Sequence, residues 1–179
     1  MLDITDESLV AQVKSGDRDK YELLVERYES KLNHYATRFL SDNDAATDAV
    51  QDVFIKAYIN IQSFDTSKKF SSWIYRIAHN EFVNILRKKK SLSVSFFDFD
   101  TFFPHQVEGE GSDMLALKRE DKERVEKAIS KLEPKYREPI VLYYFEDMKY
   151  DEIADVLLIP VATVGVRIMR AKKLLEKII

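Results

Sequence analysis

Between Tyr21 and Phe39 the chain sets Tyr21, Leu24, Val25, Tyr28, Leu32, Tyr35, Ala36 and Phe39 at mostly three- and four-residue steps. That spacing becomes one continuous apolar face only on an α-helix. The rhythm returns twice. After "SDND" it carries Ala46, Ala49, Val50, Val53, Phe54, Ala57, Tyr58 and Ile61, and from about Lys69 to Lys90 it carries Phe70, Trp73, Ile74, Ile77, Ala78, Ile85 and Leu86. A shorter helix with Leu9, Val10 and Val13 precedes them; Gly16 is placed to close it and Asp17 to cap the next. Four such helices hide their stripes only against each other, which predicts a helical bundle. With 4 Gly and 4 Pro in 179 residues the chain lacks material for the turns of a many-stranded sheet, so the predicted class is all-α.

The pattern breaks after the fourth helix. "SLSVSFFDFDTFFPHQVEGEGSDMLAL" holds Asp98, Asp100, Glu108, Glu110 and Asp113 and no Lys or Arg. Its Gly, Ser and acidic part reads as a flexible linker, whereas "FFDFDTFF" is apolar enough to dock on something, another protein included. Helical pattern then resumes. Val125, Ala128, Ile129 and Leu132 line one helix, and Pro134 suits the first position of the next, which carries Ile140, Val141, Tyr143, Tyr144 and Phe145. Pro139, deeper in that helix, predicts a late start or a bend. The last pair lies in "YDEIADVLLIPVATVGVRIMRAKKLLEKII". The expected organisation is two small helical domains, 1–92 and 117–179, joined by a flexible acidic linker, 93–116.

Several function classes find no support. His34, His79 and His105 are far apart, and none pairs with another His or a Glu at metal-ligand spacing. "EGEGS" precedes no strand-to-helix unit with a Lys, so it is no phosphate loop. No catalytic pair and no cofactor are signalled. The absence of Cys suits a reducing compartment. No basic segment with an apolar core opens the chain and no run of about 18 apolar residues occurs, which predicts a cytoplasmic protein without membrane insertion of its own.

Three clusters carry the functional signal. In the last helix pair Ile153, Ala154 and Leu157 point inward on the first helix, and Ile159, Val164 and Ile168 fit the inner side of the second. Small Ala154 permits a close crossing. From Val161 onward Arg167, Arg170, Lys172, Lys173 and Lys177 face Glu176 alone. A helix-turn-helix places the start of its second helix in the major groove; a solvated face of an ordinary bundle is the other reading. In "FDTSKKFSSWIYRIAHNEFVNILRKKK" basic groups interleave with Phe70, Trp73 and Tyr75, as single-stranded nucleic acid requires. Phe70 and Trp73 are equally placed to be core, and Arg87 to Lys90 to favour a helix C-terminus. In "DAATDAVQDVFIKAY", Asp44, Asp48, Gln51 and Asp52 share one helical face, read as solvated or as a partner's docking face.

In this order and at these separations the clusters resemble the two-domain extracytoplasmic-function (ECF) sigma factors of bacterial RNA polymerase. "YELLVERYESKLNHYATRFLSDNDAATDAVQDVFIKAY" and "FSSWIYRIAHNEFVNILRKKK" resemble sigma region 2, and "LEPKYREPIVLYYFEDMKYDEIADVLLIPVATVGVRIMRAKKLL" resembles region 4. The resemblance implies docking on core RNA polymerase through Asp48, Gln51, Asp52 and Phe54. It implies that the loop Asp65 to Ser72 captures a flipped base of the minus-10 element, with Lys68, Lys69, Phe70, Ser71, Ser72, Trp73, Tyr75, Arg76, Asn80, Asn84, Arg87 and Lys88 at that site. It implies contact of Arg137, Tyr150, Thr163, Val166, Arg167, Met169, Arg170 and Lys173 with minus-35 DNA. The implied partners are core polymerase, promoter DNA and an anti-sigma factor, and the linker would thread toward the RNA exit path. A stand-alone helix-turn-helix regulator, with a sensing or dimerising N-terminal bundle, is the alternative.

The chain departs from the family pattern at four positions. Gly165 and Val166 stand where a basic residue and a Ser are usual, Leu158 takes the turn position of a Gly, and Thr47 replaces an acidic residue beside Asp48. The net charge is -3, so duplex binding by the chain alone is expected to be weak.

Overall fold

The computed structural model describes residues 4–89 and 119–179, with side chains given for 4–88 and 123–179. The sequence-predicted linker 93–116, its docking segment "FFDFDTFF" and the junctions at 92 and 117 lie outside the described residues. The chain divides into two compact units. The first comprises α1 (Asp6–Lys14), α2 (Lys20–Leu40), α3 (Asn43–Asn60) with a 3-10 turn at Ile61–Ser63, and α4 (Phe70–Lys89). The second contains α5 (Arg119–Ser130), α6 (Pro134–Tyr144), most of α7 (Tyr150–Leu157) and α8 (Val161–Leu175). Every described regular element is helical.

In the first unit α2 packs on α3 and α4, α3 packs on α4, and α1 lies against α2 and α4. The stripes predicted from spacing meet there. Leu9, Leu24, Leu32, Tyr35, Phe39, Val53, Phe70, Ile74 and Phe82 are fully buried, and each large apolar side chain so buried contributes about 1.5–3 kcal/mol. Tyr35 stands at the centre, with the rings of Phe39, Tyr75 and Phe82 at 6.0, 5.6 and 5.1 Å.

Local chemistry sets the helix ends. Gly16 closes α1 at φ 111°, a backbone that a side chain would strain, while the amides of Gly16 and Asp17 bond to the carbonyls of Val13 and Gln12. The residue preceding α2 is Asp19 rather than Asp17; it makes no side-chain cap, and the entry is a tight turn in which the Lys20 amide donates to the Asp17 carbonyl. Asp42 does cap α3, accepting from the Ala45 amide at 3.1 Å. Tyr58, expected inward, is 39% exposed, with its ring edge-on to Tyr21 at 5.0 Å.

In the second unit α6 packs on α8. Ile129, Leu132, Ile140, Leu142, Ile153, Val164 and Ile168 are buried. Pro134 opens α6 at its first turn, and Pro139 sits inside the helix. Of the late start or bend expected from Pro139, the late start does not occur: α6 begins at Pro134, which suits the first turn because its missing N–H has no intrahelical partner to lose, and continues through Pro139.

Candidate nucleic-acid interface

The α3 face presents Asp44, Asp48, Gln51 and Asp52 to solvent. Phe54 faces the other way and is 9% exposed, because it shares the inward stripe with Val50, Val53 and Ala57. Its backbone carbonyl accepts the Tyr21 hydroxyl at 2.6 Å, tying α3 to α2. Phe54 therefore shapes this face from beneath. Sequence reasoning passed over Ile55 and Ile59, which are 57% and 69% exposed on the side of Asp48 and Asp52. The signal was available: both fall out of step with the buried stripe, Ile55 three residues beyond Asp52 and Ile59 four beyond Ile55.

The segment before α4 is held by its own polar groups. The Asp65 carboxylate accepts from the Ser67 amide at 3.0 Å, and the Asp65 carbonyl accepts from the Lys68 amide at 3.0 Å. The Ser67 hydrogen bonds hold the Asp65 carboxyl below its usual range. The first turn of α4 lacks a local acidic residue, and the carboxylate of Glu7 on α1 accepts from the Phe70 amide at 2.9 Å instead. Lys68 and Lys69 are exposed, Ser71 is half-buried, and Phe70 and Ser72 are buried. Phe70 lies among Tyr28, Phe64 and Trp73 at 5.5–5.7 Å. It forms the floor of this site and offers no accessible ring.

Trp73 is half-exposed on that floor, its ring 5.0 Å from Phe64. From it Arg76, Asn80, Asn84 and Arg87 follow at steps of three, four, four and three, which aligns them along one side of α4. Asn80, Asn84, Arg87 and Lys88 are exposed and Arg76 is half-buried. Tyr75 lies off this line, 2% exposed and stacked on Tyr35. The exposed line offers amide groups flanked by cations beside a Trp face, a set that hydrogen-bonds and stacks an unpaired base while neutralising phosphates.

In the second unit α7 and α8 are joined through Leu158, Ile159 and Pro160. Leu158 adopts φ 55° and ψ 43°, and the Leu158 and Ile159 amides both close on the Ala154 carbonyl. The left-handed backbone persists without the usual Gly. At the other end of α7 the Glu152 carboxylate accepts from the Lys149 amide at 3.0 Å. Along α8 Ala162 and Lys173 are exposed, and Thr163, Val166, Met169 and Arg170 are half-buried. Arg167 is 7% exposed, so it does not stand with Arg170 on the accessible side. Arg137 also turns inward: its Nη2 donates to the carbonyls of Ser130, and of Leu132 at 2.8 Å, closing the turn after α5. Burial lowers the Arg137 pKa from its ordinary value. Tyr150 lies 5.1 Å from the Tyr143 ring, and burial raises its hydroxyl pKa. Spacing alone marks the face of a helix; it does not tell where a long guanidinium ends.

Fold and surfaces together define a helical DNA-binding protein with two modules, the second a helix-turn-helix. The family models of Sigma-70 region 2 and Sigma-70, region 4 match residues 24–92 and 122–175. The ECF RNA polymerase sigma factor SigW of Bacillus subtilis is 37% identical over 174 residues, 94% of this chain and 93% of that one. The ECF RNA polymerase sigma-E factor of Escherichia coli K12 is 34% identical over 97% of this chain and 93% of its own length. Among solved structures, CnrH in complex with the cytosolic domain of CnrY superposes with a TM-score of 0.72 at 27% identity, covering 96% of this chain and 95% of that chain. Sigma factor RpoE in complex with the anti-sigma factor NepR, from Bartonella quintana, gives 0.67 at 25% identity, covering 88% and 95%. The chain belongs to the ECF sigma factors of bacterial RNA polymerase.

Proposed function

We propose that this chain binds core RNA polymerase through the exposed α3 face of Asp48, Gln51 and Asp52, shaped from beneath by Phe54. In this reading the segment Asp65 to Ser72 and the α4 line from Trp73 to Lys88 hold the minus-10 element, and the α7–α8 pair reads the minus-35 element. The modules comprise residues 1–92 and 117–179, with 93–116 as the strap between them. The observation that carries this is the match of both sigma regions, in order, within relatives that align over more than nine-tenths of the chain. The protein performs no bond chemistry itself; polymerase makes the RNA, and both work in the cytoplasm. Among the described residues no helix is long and apolar enough to cross a membrane. The complexes of CnrH with the cytosolic domain of CnrY and of RpoE with NepR support an anti-sigma factor as the regulator that masks these faces.

Reconstitution tests this directly. The chain mixed with core polymerase should form a stable complex that initiates from selected promoter fragments; no complex at low salt rejects the proposal. Asp48→Arg with Asp52→Arg should weaken core binding while leaving the helical circular dichroism unchanged, and unaltered affinity would remove α3 from the docking face. Arg170→Ala should lower minus-35 binding, and a loss confined to particular sequences, about 1–3 kcal/mol for a good contact, would assign its guanidinium to a base edge. Equal loss on every sequence would assign Arg170 to the phosphates. Arg167→Ala should act mainly on the stability of the second unit, because that side chain is buried.

A further inference from the structure

We propose that α8 reads its duplex through thymine methyl groups, with Ala162, Val166 and Met169 against the bases and Arg170 and Lys173 on the flanking phosphates. The inference rests on the reading of α8 as the minus-35 helix and specifies what that helix recognises.

Positions 162, 166, 169 and 173 follow at steps of four, three and four, so they share one side of α8, with Arg170 beside Met169. Ala162 and Lys173 are exposed, and Val166, Met169 and Arg170 are half-exposed. The other side is the packed one: Val164, Ile168, Ala171 and Leu175 are all at 9% exposure or less. The accessible side changes character along its length. Its first half is apolar, and cations begin only at Arg170.

Base-edge chemistry then restricts the partner. In the major groove guanine shows two acceptors, adenine an acceptor and a donor, and cytosine a donor; each is read by a polar or charged side chain. Only thymine adds an apolar group, its C5 methyl. From Val161 to Val166 the single polar side chain is Thr163, and Gly165 contributes none. The first cation of α8, Arg167, is 7% exposed and is not presented for a bidentate contact with guanine. A helix entering the groove by its N-terminal half thus meets the bases with methyl and thioether surface. The best complement is a minus-35 duplex with thymine methyls facing that stripe, on either strand. Arg170, next to Met169, and Lys173, four residues beyond Met169, suit the phosphates at the groove's edge.

The test replaces thymine by uracil, which deletes the methyl and keeps every hydrogen-bonding group. Promoter fragments are first selected from a library randomised at minus-35, using holoenzyme reconstituted from this chain and core polymerase. Each minus-35 thymine of a selected fragment is then changed to uracil, one at a time and on each strand, with spacer thymines as controls. For the wild-type holoenzyme at least one minus-35 substitution should weaken binding about threefold to fivefold, the effect of withdrawing one methyl from an apolar contact, while spacer substitutions have none. In the Val166→Ser holoenzyme, or the Met169→Ala one, that penalty should fall towards onefold. Uracil at every minus-35 thymine without effect overturns the inference, and so does a penalty that persists undiminished in both variants. The wild-type arm decides the matter even if a variant fails to fold. A holoenzyme that does not form refutes the sigma-factor reading itself; one that initiates but ignores uracil refutes only the thymine contact.

Discussion

Leu158 carries a local strain that a single substitution can release. At φ 55° and ψ 43° the Cβ of an L-residue crowds the following carbonyl, which costs about 1–2 kcal/mol. The side chain is 65% exposed, so its removal forfeits little burial. Leu158→Gly should therefore stabilise the second unit by roughly 1 kcal/mol, read as a raised thermal midpoint, whereas Leu158→Ala, which keeps the Cβ, should not. This position was legible in the sequence because a Gly is usual there. The comparable backbones of Ser41 and Asp147, at φ 56° and 52°, were not, since either residue also suits ordinary turns. From the resemblance Arg137 reads as a contact to minus-35 DNA. Its bonds to the Ser130 and Leu132 carbonyls make it a clasp of the turn after α5. Arg137→Ala should destabilise the second unit by about 1.5–3 kcal/mol per charge-assisted bond lost; both bonds leave from the one Nη2, so Arg137→Lys, whose ammonium carries several N–H donors, should restore part of it. A melting curve unchanged by Arg137→Ala would leave the residue to DNA alone.

Helix α1 is short, yet it organises elements far along the chain. Its Asp6 carboxylate accepts from Arg27 at 2.6 Å and from the Tyr28 hydroxyl at 2.5 Å on α2, and its Glu7 caps α4 through the Phe70 amide. Periodicity found all three helices, because each has its own apolar stripe. It did not find the link between Glu7 and residue 70, because spacing carries no information about which distant helix end a side chain reaches. Glu7→Ala should cost about 1 kcal/mol, as other lost caps do, and should loosen the segment expected to hold the minus-10 base. Glu7→Gln keeps an acceptor and should retain most of both. The Tyr28 contact predicts a response to alkali. Burial, and then the neighbouring Asp6 carboxylate, push the Tyr28 pKa above its ordinary value of 10.0. The protonated hydroxyl belongs to the folded state, so this contribution is complete below 10.0 and declines as pH rises beyond it, where the unfolded chain ionises first. Tyr21 is raised in the same direction, chiefly by burial. Denaturant titrations on both sides of that pH should show the first unit losing stability, and Tyr28→Phe should flatten the decline.

At the scale of the whole molecule the governing quantity is charge. The chain is at -3 overall, yet Lys68, Lys69, Arg87 and Lys88 lie on one unit and Arg170, Lys172 and Lys173 on the other. This division was legible early, because the helical pattern stops near Ser91 and resumes before Val125; the faces each unit offers were legible only in part, since Phe54, Phe70, Tyr75 and Arg167 carry suitable chemistry but are buried. Each phosphate contact adds affinity by releasing counterions, so a small basic patch opposed by acidic surface binds duplex weakly and loses that binding steeply with salt. In the proposed reading core polymerase fixes the two modules, already joined in one chain, at the spacing of the two promoter elements, which raises the effective concentration of the second contact; avidity of this kind is worth about 10²–10⁴ when the geometry permits both contacts and is lost when it does not. Holoenzyme should therefore bind a selected promoter at least a hundredfold more tightly than the isolated chain at physiological salt, on the order expected for such tethering. Arg170→Ala combined with Lys173→Ala should remove much of that advantage and, since both are phosphate contacts, should also weaken the isolated chain's binding and flatten its salt dependence. Competition binding with and without core polymerase, across a salt series, measures both quantities. An isolated chain that held the same duplex as firmly as holoenzyme would mean that the two modules need no polymerase to set their spacing, and that their divided charge does not depend on core to become effective.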